Sequence, residues 1–138
     1  KDAGLVAADA AGTVSAAAAY YDLGAANAYG RFAVVIDWTA CEVATGDEVY
    51  AIKVQGATTS AFSTAYVLAE RRFGDSSVTF QPVDTPPSGR AVIFCDNVAI
   101  TSATDGNSQI ATQFIRVYAD VGGTIATGMN YTAWIVPV

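Results

Sequence analysis

The chain has 138 residues, of which 52% are hydrophobic and only 14% charged, the balance of one folded domain rather than of a disordered, charge-rich segment. Thirteen acidic residues against seven basic ones give a formal charge of −6, which argues against nucleic acid as a partner because phosphates need clustered Lys and Arg. With no histidine, Ser-His-Asp and Cys-His catalysis and the common zinc sites are excluded, and no apolar run reaches the roughly 18 residues of a membrane-spanning helix.

Residues 1–19 are small, alanine-rich and lightly charged, which makes a poor signal peptide. Within them "SAAAAY", Ser15 to Tyr20, has helix-forming composition but is too short to stand alone. It reads as an arm or edge strand running into "YYDLG". The lack of periodicity predicts a segment that builds no core and stays flexible until it lies on a partner.

The turn signal "NAYG" leads into "RFAVVIDW", Arg31 to Trp38, apolar on both faces as a central strand requires. "EVYAIKVQG", Glu48 to Gly56, sets Tyr50, Ile52 and Val54 against Val49, Ala51, Lys53 and Gln55. "GATTSAFSTA" is a polar surface loop. "YVLAERRF" and "SVTFQPV" flank "GDSS" as the arms of a hairpin, and the prolines of "DTPPSG" end regular structure. "RAVIFCDNVAI" reads as a buried strand holding Cys95 as a buried, reduced thiol, since Cys41 and Cys95 make no disulfide framework. "TSATDGNSQ" is a turn-rich loop.

In "QFIRVYAD", Phe114, Arg116 and Tyr118 share one face and Ile115, Val117 and Ala119 the other. "VGGTIATG" then connects to "MNYTAWIV". These two runs read as the final hairpin, Phe114 to Asp120 against Met129 to Val136. An unpaired buried guanidinium would be costly, so the Arg116 face is the outer one. Ile115, Val117, Tyr131, Ala133 and Ile135 then point inward, and Trp134 points outward beside Arg116 and Tyr118. The whole predicts an all-β protein: a two-sheet antiparallel β-sandwich, a jelly roll of about eight strands, in a single domain 1–138.

Candidate chemistry is sparse. "GGTIATGMN" has the glycine spacing of a phosphate loop, but Met129 and Asn130 stand where Lys and Ser/Thr are required. The "NYT" sequon at Asn130 lies inside a strand. Asp96 and Asp105 offer oxygen ligands without the spacing of a calcium loop. Asp47 and Glu48 are adjacent, so they cannot share a strand face as an acid–base pair, and they read as solvated charge at a strand start. No catalytic, cofactor-binding or metal residue is assigned, and binding is expected rather than catalysis. The aromatic residues Tyr20, Tyr21, Tyr29, Trp38, Tyr50, Tyr66, Tyr118, Tyr131 and Trp134 are numerous. Those left outside would form an interface or a sugar-stacking platform, with Trp38 or Trp134 as its base. The interface candidates are Tyr20, Tyr21, Arg71, Arg72, Arg116, Tyr118 and Trp134.

Several of these segments together carry a family likeness. Asp22-Leu23-Gly24 after a small-residue start, "FAVVIDW", the strand Phe114-Ile115-Arg116-Val117-Tyr118, the glycine loop and the small-residue last strand resemble the jelly-roll capsid cement (decoration) proteins of tailed bacteriophages, the Bordetella phage family among them. The likeness covers both ends of the chain and not the middle, Gly56 to Pro87. It implies a virion protein, made in the host cytoplasm, that sits on the outer capsid surface. Its partners would be the major capsid protein and further copies of itself, the dimer favoured, with no cofactor, no nucleic acid and no membrane. A carbohydrate-binding or host-adhesion module is the other reading of the same residues.

Overall fold

The computed structural model describes residues 1–24, 30–100 and 108–138. Its strands are β1 (Gly4–Val6), β2 (Ala10–Ala11), β3 (Thr13–Val14), β4 (Ala17–Ala18), β5 (Tyr21–Asp22), β6 (Arg31–Cys41), β7 (Val49–Ala57) and β8 (Tyr66–Gly74). After the short helix α1 (Ser76–Thr79) come β9 (Gly89–Asp96), β10 (Val98–Ile100), β11 (Gln109–Ala111), β12 (Phe114–Gly122) and β13 (Met129–Pro137). The turn "NAYG" up to Tyr29 and the "DG" loop with Asp105 lie outside the described residues.

The long strands build two antiparallel sheets. Sheet I runs β1-β13-β6-β9; sheet II runs β2-β12-β7-β8, with β5 beside β2 on the same edge of β12. Two small pairs, β3-β4 and β10-β11, stand apart. The protein is therefore the all-β sandwich that the alternating runs predict. Between the sheets lie Val34, Ile36 and Trp38 of β6, Tyr50, Ile52 and Val54 of β7, Phe73 of β8, Ile115, Val117 and Ala119 of β12, and Tyr131 and Ala133 of β13. Each large apolar side chain buried there contributes about 1.5–3 kcal/mol. The doubly apolar β6 is central in its sheet, as its sequence requires.

Other expectations are corrected. The last two strands are not a hairpin: β12 pairs with β7 and β13 with β6, so "VGGTIATG" crosses from one sheet to the other. The inward and outward faces are nonetheless those expected, because each strand's alternation is set against the same core. "SVTFQPV" is no strand. Asp75 accepts Ser77 N–H at 2.8 Å and caps α1, and Pro82, Pro86 and Pro87 keep the chain between α1 and β9 irregular. "RAVIFCD" is an edge strand rather than a buried one. It leaves Cys95 half-buried, while Cys41 is the buried thiol, and both are free.

The N-terminal segment also departs from the reading of an arm without a core. Val6, 6% exposed, belongs to the core. β1 extends sheet I along β13, and β2 and β5 cover the edge of β12 in sheet II. Lys1 continues the β1 ladder by exchanging backbone hydrogen bonds with Ala133. Between β2 and β5 the chain turns out as the β3-β4 hairpin, with Ser15 and Ala16 both at positive φ, 50° and 64°. A two-residue turn of that kind suits the twist of a hairpin.

Candidate functional site

The outer face of sheet I is built by cross-strand rows. Thr132 faces Asp37, which faces Arg90; Trp134 faces Val35, which faces Val92; Val136 faces Ala33, which faces Phe94; and Arg31 faces Asp96. The two middle rows are wholly apolar, and much of them meets solvent: Trp134 is 41%, Val92 44% and Phe94 72% exposed. Both ends of this stripe are closed by ion pairs. Arg90 donates through Nε and Nη2 to the two oxygens of Asp37, each at 2.6 Å, and its guanidinium lies 5.6 Å from the Trp134 ring centre. The Arg90 hydrogen bonds hold Asp37 below the usual carboxylate range. Arg31 Nε stands 3.3 Å from Asp96.

Trp134 is thus outward, as expected, but its arginine is Arg90. Arg116 and Tyr118 face outward from sheet II, on the opposite side of the sandwich. Trp38 is no platform: it is 7% exposed, packs on Phe73 with ring centres 4.9 Å apart, and donates its indole N–H to Pro86 O. Val92 and Phe94 were missed in the sequence. Their signal was present in "RAVIFCD", where Arg90 and Asp96 occupy the same alternation as Val92 and Phe94 and so mark that face as the outer one.

Sheet II presents a different surface. Arg116 Nε donates to Gln55 at 2.8 Å, and its guanidinium stacks on Phe62 at 4.4 Å and near Tyr118 at 5.3 Å. Tyr20 closes the group, with its ring 5.5 Å from Phe114 and 6.3 Å from Phe62. Phe62, in the loop read as plain polar surface, is buried at a φ of 50°. Tyr21 is exposed on β5. Arg71 and Arg72 point to opposite sides of β8: Arg72 pairs with Glu70 at 2.7 Å, and Arg71 lies 6.0 Å from the Phe73 ring.

At one end of the sandwich three carboxylates fasten the crossing loops. Glu42 accepts the N–H groups of Ala126, Thr127 and Gly128. Those are the backbone donors of the segment with phosphate-loop spacing, and they already hold an internal anion. Asp47 accepts Thr124 N–H at 2.9 Å, beside Gly123, whose φ of 90° and closeness to the Asp47 carbonyl leave no room for a Cβ. Glu48, far from being solvated, is fully buried and accepts the N–H groups of Thr45, Gly46 and Asp47. Among the described residues no group of His, Cys, Asp and Glu side chains converges as a metal site, and no helix is long and apolar enough to cross a membrane. Compared with protein-family models, with curated proteins and with solved structures, the chain matches none of them.

Proposed function

We propose that this chain is a structural docking protein that binds the outer surface of a bacteriophage capsid and joins neighbouring major capsid subunits, itself a homo-oligomer with the dimer favoured. The observation that carries the reading is the outer face of sheet I. Trp134, Val92 and Phe94 stand exposed in adjacent rows, and a contiguous apolar face rimmed by polar groups marks a protein contact. Its flanking charges are already paired, so covering the face strands no lone ion. Many copies on a lattice multiply a modest single contact, and no catalysis is required of them.

The strand order adds support for a jelly roll. Counting β2 and β5 as one interrupted strand, and leaving out the two small pairs, sheet I runs first, eighth, third, sixth and sheet II second, seventh, fourth, fifth. The family likeness is what points to the capsid as the partner; the fold and the face support docking alone.

Sedimentation with emptied phage shells tests the reading. The chain should pellet with shells, and Phe94→Ser should weaken that at least fivefold while leaving the melting curve nearly unchanged. Purified particles should yield abundant peptides of this chain by mass spectrometry. The exposed Trp134 indole favours one other reading, a sugar-binding module. Binding on a glycan array without binding to shells would replace the first reading with that one.

A further inference from the structure

We propose that Arg116 is a receptor for a carboxylate presented by a protein partner, on the side of the sandwich opposite the apolar rows of sheet I. Arg31, Lys53, Arg72 and Arg90 are each paired with a carboxylate, of Asp96, Asp120, Glu70 and Asp37 respectively. Lys1 Nζ donates to the carbonyls of Asp2, Gly4 and Tyr131. Among the described residues only Arg71 and Arg116 have side chains paired with neither a carboxylate nor a main-chain carbonyl, in a chain where acidic residues outnumber basic ones thirteen to seven.

Arg71 is an exposed side chain on an edge strand, and solvent suffices for it. Arg116 is half-buried and already oriented. Gln55 holds Nε at 2.8 Å, and the guanidinium carbon lies 4.4 Å from the Phe62 ring centre and 5.3 Å from that of Tyr118. Phe62 is itself locked, buried at positive φ and backed by Tyr20. With Nε occupied, the free edge is the pair Nη1 and Nη2, which has no protein acceptor among the described residues. That edge offers two N–H bonds matched to the two oxygens of a carboxylate. Burial beside the two rings has removed part of the group's hydration, which favours pairing it with an anion; the same burial lowers its pKa. A phosphate dianion would call for a second cation, and the others of this face, Lys53 and Arg72, are held by Asp120 and Glu70. One guanidinium balances one carboxylate.

Only the choice of a protein as the carboxylate's source rests on the docking function proposed above. The site is tested by NMR of arginine-labelled protein at about pH 6, titrated with sodium acetate, with sodium chloride at matched ionic strength, and with inorganic phosphate. The Arg116 side-chain signals should move along a saturating curve in acetate, with an apparent Kd at least fivefold below that of Arg71, the internal control. Chloride should give no saturation, and phosphate should bind no tighter than acetate. In Arg116→Lys, which keeps the charge but not the fork, the acetate response of the Tyr118 and Phe62 ring signals should fall at least fivefold. Equal behaviour of Arg116 and Arg71, or a chloride curve matching acetate, makes the stack purely structural and overturns the proposal. Phosphate binding tenfold tighter than acetate overturns it in favour of a phosphoryl site. Failure of the acetate titration leaves shell sedimentation through sheet I intact, and failure of sedimentation leaves the titration intact, so the two readings fall separately.

Discussion

Glu48→Gln removes one negative charge and almost no volume from a side chain with no exposed surface. The carboxylate accepts Thr45 N–H at 2.6 Å on one oxygen, and Gly46 and Asp47 N–H at 2.9 and 3.1 Å on the other. A glutamine keeps one oxygen and places an NH2 at the other site, so one or two backbone donors are left facing a donor. Hydrogen bonds to a charged group are worth about 1.5–3 kcal/mol each, so the substitution should cost about 2–4 kcal/mol. For a domain of this size that lowers Tm by about 10 °C. The pH dependence supplies a second check. Burial opposes ionisation of Glu48, but the hydrogen bonds from the Thr45–Asp47 turn outweigh it and hold the carboxyl below its ordinary value. A depressed folded-state pKa gives stabilisation that is complete above the unfolded value of about 4.3 and lost as pH falls through the folded value. The variant has nothing to titrate there. In urea unfolding followed by tryptophan fluorescence, the gap between the two proteins should hold from about pH 8 to 5 and narrow below about pH 4. A variant within about 0.5 kcal/mol of the parent at pH 7, or a gap undiminished in acid, would refute the reasoning.

Trp134→Ala should cost more than about 1 kcal/mol of subunit or shell binding and less than that in folding stability, measured by sedimentation and urea unfolding on the same preparation. Deleting residues 1–12 should lower Tm by well over about 5 °C, since it removes Val6 from the core and uncovers the edges of β12 and β13; an unchanged calorimetric Tm would restore the flexible arm. Burial pushes both thiols up to about 11, so at pH 8 Cys41 and Cys95 should react with iodoacetamide roughly 100-fold more slowly than an ordinary cysteine. Rapid labelling of the half-buried Cys95 would show that its surroundings open.

The strands were legible because alternation is a local signal: Ile115, Val117, Tyr131 and Ala133 declare their face whichever neighbour they pair with. Pairing partners are not local. Two strands joined by a glycine-rich loop look like a hairpin in sequence, and only the packing of β7 against β12 and of β6 against β13 divides them between sheets. The N-terminal strands were illegible for another reason. β2 and β5 are two residues each, too short to show any period, and exist because β12 offers them an edge. Glu48 was misread because burial of a carboxylate depends on three backbone donors that its neighbours supply only once the turn has formed. Of the candidate site, Trp134 and Arg116 were visible as outward residues, and the two rows that end in Val92 and Phe94 were hidden by an apolar run that looked buried on both sides.

The antiparallel neighbourhood of β1 and β13 makes the molecule mechanically uneven. Lys1 lies beside Ala133, so a force applied at Lys1 and Val138 peels two adjacent strands from one end, and their hydrogen bonds break one after another. A force entering through Trp134 and Phe94 instead loads the ladders that join β13, β6 and β9, each eight or nine residue pairs long. There the pull enters away from the strand ends, so several hydrogen bonds of each ladder share the load at once. Tension across the face of sheet I therefore meets far more resistance than tension between Lys1 and Val138.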